Sequence, residues 1–120
     1  MFIRDFKKCR PITAGDNTSL RELFNPIADE LQLHYSLAYA KIKPGKISFS
    51  HKLKSSEIYY ILEGEGEIYI DKEKEKVSPG QAIYIPPNSV QKIKNIGSID
   101  LKFLCIVDPA WRAEDEIIMD

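Results

Sequence analysis

A succession of short runs rich in Ile, Tyr, Val and Phe, at residues 36–43, 46–51, 57–63, 65–71, 82–86, 89–95 and 100–107, constrains this chain most. Branched and aromatic side chains suit a pleated, half-buried surface, so each run reads as a β-strand. Between them stand Pro44-Gly45, Glu63-Gly64-Glu65, Pro79-Gly80, Pro86-Pro87-Asn88 and Ile96-Gly97-Ser98. These residues turn a chain, because glycine and asparagine tolerate positive φ and proline presets it near −65°. The linkers are too short for the helical crossovers that a parallel sheet needs. Short strands at near-regular spacing specify an all-β sandwich or barrel.

The flanks read differently. Residues 18–24 carry Ser19-x-x-Glu22, the pattern of a capping box, with Leu20, Leu23 and Phe24 as an apolar stripe and Asn25-Pro26 as a stop. A short helix is expected there. Asp108-Pro109 resembles a cap followed by a first-turn proline, which predicts a terminal helix holding Trp111 as a packing residue. The segment Lys72–Lys76 is expected at a solvated hairpin tip, and the acidic Glu114-Asp115-Glu116 in solvent. The chain divides into an arm and short helix (1–35), a barrel (36–108) and a helical tail (109–120), all one domain.

Composition removes several function classes. The 120 residues hold 17 Lys and Arg against 18 Asp and Glu, which leaves no positive excess to neutralise phosphates. Nucleic acid is not an expected partner. No apolar run has the length of a signal core or a membrane span, so neither export nor a membrane is expected, and the location read from this is cytoplasmic. Cys9 and Cys105 match no zinc or redox spacing and read as two reduced thiols. The bias toward Lys, Glu and Ile is compatible with a thermophilic source.

Two spaced motifs carry the chemistry: Gly45-x5-His51-x-Leu53-x3-Glu57-x6-Gly64 and Gly80-x5-Pro86-x-Asn88-x2-Gln91-x3-Asn95. They resemble the two motifs of the cupin superfamily, G-x5-H-x-H-x3-4-E-x6-G and G-x5-P-x-G-x2-H-x3-N. The closing Phe103–Trp111 segment is similar to that of small single-domain prokaryotic cupins. The resemblance implies a double-stranded β-helix, the cupin jelly-roll barrel, here with short N-terminal and C-terminal helices. In that family the histidines and the glutamate bind one metal ion inside the barrel. Three positions depart from the pattern: Leu53 replaces the second histidine, Asn88 the glycine of the second motif and Gln91 the last histidine.

Strand alternation, counted from His51, Glu57 and Gln91, turns Phe49, Leu53, Tyr59, Ile61, Ser89 and Ile93 toward the interior. On the final run the charge of Lys102 belongs outside, which turns Phe103 and Cys105 inward. The result is an apolar cup with a small polar patch, the usual make-up of a small-molecule pocket.

The resemblance implies His51, Glu57 and Gln91 as ligands of a divalent ion, with Mn, Fe or Zn suited to one nitrogen and two oxygens. Gln has a precedent among zinc ligands in the cupin-like phosphomannose isomerases. The alternative is a hydrogen-bonded polar cluster without metal, because these three side chains can satisfy one another. Two functions stay open accordingly. One is a metal-dependent enzyme, dioxygenase-like or isomerase-like, acting on a small polar metabolite. The other is a metal-free module that binds a sugar, carboxylate or aromatic compound. A homodimer is expected, with Phe2–Phe6 as an arm that extends a neighbour's sheet.

Overall fold

The structure, a computed structural model, describes all residues from Met1 to Asp120. Eleven strands form two antiparallel sheets. The first sheet joins β1 (Ile12–Thr13), β2 (Ser19–Phe24), β3 (Ser36–Ile42), β10 (Leu101–Asp108), β5 (Ser56–Glu63) and β8 (Ala82–Ile85) in the order β1-β2-β3-β10-β5-β8. The second joins β11 (Glu116–Ile118), β4 (His51–Leu53), β9 (Gln91–Asn95), β6 (Gly66–Ile70) and β7 (Glu73–Val77) in the order β11-β4-β9-β6-β7. Sequential strands cross repeatedly between the sheets, as a jelly roll requires.

Alternation sets the core. β3 and β10 are buried at every second residue, and their register pairs Ala40 with Phe103 and Ala38 with Cys105. Small residues on β3 thus face large ones on β10. Phe103, Ile61, Ile85, Ile93 and Leu101 fill the centre between the sheets, and Tyr59 packs on Phe103 with ring centroids 4.7 Å apart. Gly64 turns β5 into β6 with φ +86°, and a Cβ there would lie 2.6 Å from the Asp100 carbonyl oxygen. Only glycine meets both demands.

Four expectations need correction. Residues 19–24 are strand β2 rather than helix, paired with β3 from Ser19↔Lys41 onward. A seven-residue helix would be marginal alone, whereas the free edge of β3 offers a full set of backbone partners. The tail after Pro109 makes only a single 3-10 turn, Ala113–Asp115, and then strand β11 along the edge of β4. Run 46–51 yields an isolated bridge at Ile47 and a strand that begins only at His51. Of the charged 72–76 segment, only Lys72 belongs to the tip, beside Asp71 at φ +52°. Glu73–Lys76 are the exposed part of edge strand β7, where their charges oppose sheet-to-sheet aggregation.

Candidate functional site

An apolar-walled cavity of about 120 Å³ opens between the sheets, on the side where the β1–β2 turn and the C-terminal strand meet. Ala38, Ala40, Leu53, Phe103, Cys105 and Trp111 line its walls, and His51, Glu57, Asp16, Glu22 and Glu116 bring charged or chargeable groups to it. His51 is 2% exposed and lies between β11 and β9, opposite Ile118 and Gln91. Its Nδ1 stands 3.0 Å from the Phe49 carbonyl oxygen. A carbonyl only accepts, so Nδ1 carries the hydrogen and Nε2 points into the cavity.

Glu57, on β5, lies in a chain of hydrogen bonds. The Gln91 Nε2 amide donates to Glu57 Oε1 at 3.0 Å, and the Tyr59 hydroxyl donates to Gln91 Oε1 at 3.0 Å. Burial drives the Glu57 pKa up to about 8; the Gln91 hydrogen bond opposes this, and the charges of Asp16 and Glu116 add to it. Burial also pushes the Tyr59 hydroxyl and the Cys105 thiol well above their ordinary values, reinforced in both by the nearby Glu57.

Two acids of this cavity were not singled out in the sequence. Asp16 sits in the β1–β2 turn, where its Oδ1 accepts from the Thr18 backbone N–H at 3.2 Å and the Thr18 hydroxyl at 2.8 Å. That leaves Oδ2 turned to His51 Nε2, at 3.7 Å. Glu116, expected in solvent, is carried inward by β11 and brings Oε2 to 4.0 Å from the same nitrogen. Burial raises its pKa first, His51 opposes that, Asp16 adds to it, and a Trp111 hydrogen bond opposes it. Gly15 makes the approach feasible: a Cβ there would stand 2.1 Å from Glu116 Oε1. The β-branched pair Ile117-Ile118 was the available sign of a strand.

Of the residues read as pocket-lining, Leu53, Tyr59, Phe103 and Cys105 face the cavity, and His51 and Glu57 face it too. Gln91 lies behind Glu57, 2% exposed. Ile61 and Ile93, each 0% exposed, belong to the closed core beyond the cavity, and Ser89 is buried at the β8–β9 turn. Phe49 is a correction: it is 40% exposed. It precedes β4 in an irregular segment whose backbone N–H bonds the Asp16 carbonyl, so strand parity does not extend to it.

Residues 38–107 match the Cupin domain family. The chain is a cupin. An uncharacterized protein of Methanocaldococcus jannaschii is 40% identical over 117 residues, covering 97% of this chain and 93% of its own length. The oxalate-binding protein of Thermotoga maritima is 32% identical over 71 residues, 58% of this chain and 59% of that protein. Among solved structures, a predicted oxalate decarboxylase of Thermotoga maritima superposes with a TM-score of 0.79 at 22% identity. That match covers 90% of this cupin and 99% of the other chain.

The metal position of the cupin motif is altered in this chain. Leu53 has no donor atom, and both polar atoms of the Gln91 amide are engaged by Tyr59 and Glu57. No three His, Cys, Asp or Glu side chains stand close enough together to hold a metal ion. Held this way, the residues present do not fit the family's metal at the family's place. No helix is long and apolar enough to cross a membrane.

Proposed function

We propose that this cupin binds a small polar metabolite in its barrel, without a metal at the family's ligand positions. The observation that carries this reading is the amide of Gln91, clamped between Tyr59 and Glu57 at 3.0 Å on each side. The clamp satisfies the buried polar groups of the barrel wall internally and leaves an apolar cavity with ionisable groups at one end. That arrangement fixes the orientation of a ligand by a few polar contacts while the walls exclude water. A size of about 120 Å³ suits a ligand of a few heavy atoms, since a comparable apolar cavity of about 150 Å³ holds benzene.

A second reading rests on His51 Nε2 and Glu57 facing the same cavity. There a divalent ion, Mn, Fe or Zn, would be held by these two groups with Gln91 turned to offer its oxygen. In that case a metal-dependent reaction on a small metabolite comes into view. Elemental analysis of the purified protein beside His51→Ala separates the two. About one equivalent of metal in the parent, lost in the variant, establishes the second reading. Metal-free protein whose melting temperature rises saturably with a small metabolite establishes the first. A metal-free protein that responds to no sugar, carboxylate, amine or aromatic compound refutes both.

The assembly that fits this chain is a homodimer. The arm expected to pair with a neighbour folds onto its own sheet instead: Phe2 packs edge-on against Phe24, Phe6 stacks on Tyr39, and Arg4 pairs with Asp29 at 2.9 Å. The outer face of the first sheet still exposes Ile58, Tyr60, Leu62 and Tyr84 at 40–63%. A second copy would cover that face. Light scattering at the mass of a monomer would exclude it.

A further inference from the structure

We infer that the ligand presents a primary ammonium group to the pole formed by His51, Asp16 and Glu116, so that this barrel selects small amines. The inference rests on the reading of the cavity as a binding pocket and names the class of its ligand.

The three groups come from three separate elements, yet their free atoms converge. Asp16 Oδ2 and Glu116 Oε2 lie 3.7 and 4.0 Å from His51 Nε2, and with the ring neutral there is no donor among the three. Because Nδ1–H is spent on the Phe49 carbonyl, the neutral ring offers a lone pair at Nε2. Even as an imidazolium, Nε2 could not close hydrogen bonds at 3.7 and 4.0 Å. His51 and Asp16 are 2% and 7% exposed, so these groups meet a ligand or water only through the cavity. The buried Asp16 and the partly buried Glu116 also repel each other, and a cation between them relieves both.

The rest of the cavity decides which cation. A bare ion would occupy the pole and leave the space against Ala38, Ala40, Leu53 and Phe103 unfilled. An alkylammonium fills both parts. Its three N–H donors match three acceptors, and its carbon chain lies on the apolar wall. Anions face the opposite situation: the carboxylate pole repels them, which sets this chain apart from a relative named for binding oxalate.

The test is calorimetric titration of the full chain in EDTA with n-butylamine, 1-butanol and butyrate, which share one carbon skeleton and differ in the head group. Manganese and zinc are titrated separately without EDTA. Saturable binding of one butylamine, with butanol and butyrate silent over the same range, supports the inference. Asp16→Asn and Glu116→Gln should each weaken butylamine about tenfold to a hundredfold, the effect of losing one charge-assisted hydrogen bond. Both variants should melt no lower than the parent, because each removes a repelling charge and keeps the acceptor oxygen.

Butanol or butyrate binding as tightly as butylamine overturns the inference and leaves the binding pocket standing. So does one equivalent of manganese or zinc that Asp16→Asn abolishes, which would make the pole a metal site. If none of these probes binds, and sugars and aromatic compounds also fail, the pocket reading falls with it.

Discussion

Replacing Glu57 by Gln should change how stability depends on pH more than it changes stability itself. Glu57 is 6% exposed and its carboxyl titrates near 8, against about 4.5 when unfolded. Between these values the native protein holds a proton that the unfolded chain has released. Stability therefore falls as pH rises, by at most about 1.4 kcal/mol per pH unit. Integrated over the window, the ceiling is about 5 kcal/mol, fully present below about pH 4.5 and lost as pH rises through about 8. Glutamine mimics the protonated acid and keeps an oxygen for the Gln91 amide, which donates at 3.0 Å in the parent. Urea unfolding in EDTA at half-unit steps from pH 5 to 8.5 should show parent and variant nearly equal at the acid end. At the basic end the variant should lead by several kcal/mol. Parallel curves, separated by less than about 0.5 kcal/mol at every pH, would refute the account of Glu57 as a carboxyl held neutral by burial.

Three other outcomes are expected. Asn95→Ala removes a fully buried amide that donates to the Ile42 and Ile99 carbonyls at 2.9 and 2.8 Å and accepts from Gly97 N–H at 2.9 Å, so chemical denaturation should report a loss of about 3 kcal/mol or more. Iodoacetamide at pH 8 should label Cys9 in the native protein and reach Cys105 only on unfolding, as counted by mass spectrometry, because burial holds the Cys105 thiol protonated. Gly15→Ala places a Cβ on the end of the Glu116 side chain, 2.1 Å from Oε1. That carboxylate can swing away, so the melting temperature should move by no more than a few degrees while butylamine binding weakens about tenfold.

The barrel was legible because its signals are local. Turn residues punctuate strands, strands alternate, and the residues at 45–64 and 80–95 match the cupin spacing without a gap. The motif resemblance set His51, Glu57 and Gln91 inward, and strand parity placed their neighbours from there. What the sequence hid depends on distance along the chain. Asp16 and Glu116 are a hundred positions apart, and neither has a neighbour in sequence that marks it as inward-facing. Residues 18–24 carry both a helix cap pattern and strand-compatible side chains; the open edge of β3 decided between them. Phe49 fails for a related reason, since a parity count assumes regular strand on both sides and the chain before His51 is bridged at one residue only.

The last strand brings a consequence for how the protein is made. β11 closes the outer edge of β4, with Ile118 opposite His51 and the Met119 backbone N–H donating to the Ser50 carbonyl at 2.7 Å. On a ribosome the eight strands from β3 to β10 emerge and can begin to pair while this edge is bare and the cavity lacks one of its acids. At about 5–20 residues per second the remaining residues arrive within seconds. During that interval the nascent barrel has a fold but no finished pole, and its selectivity is conferred by the closing residues of the segment.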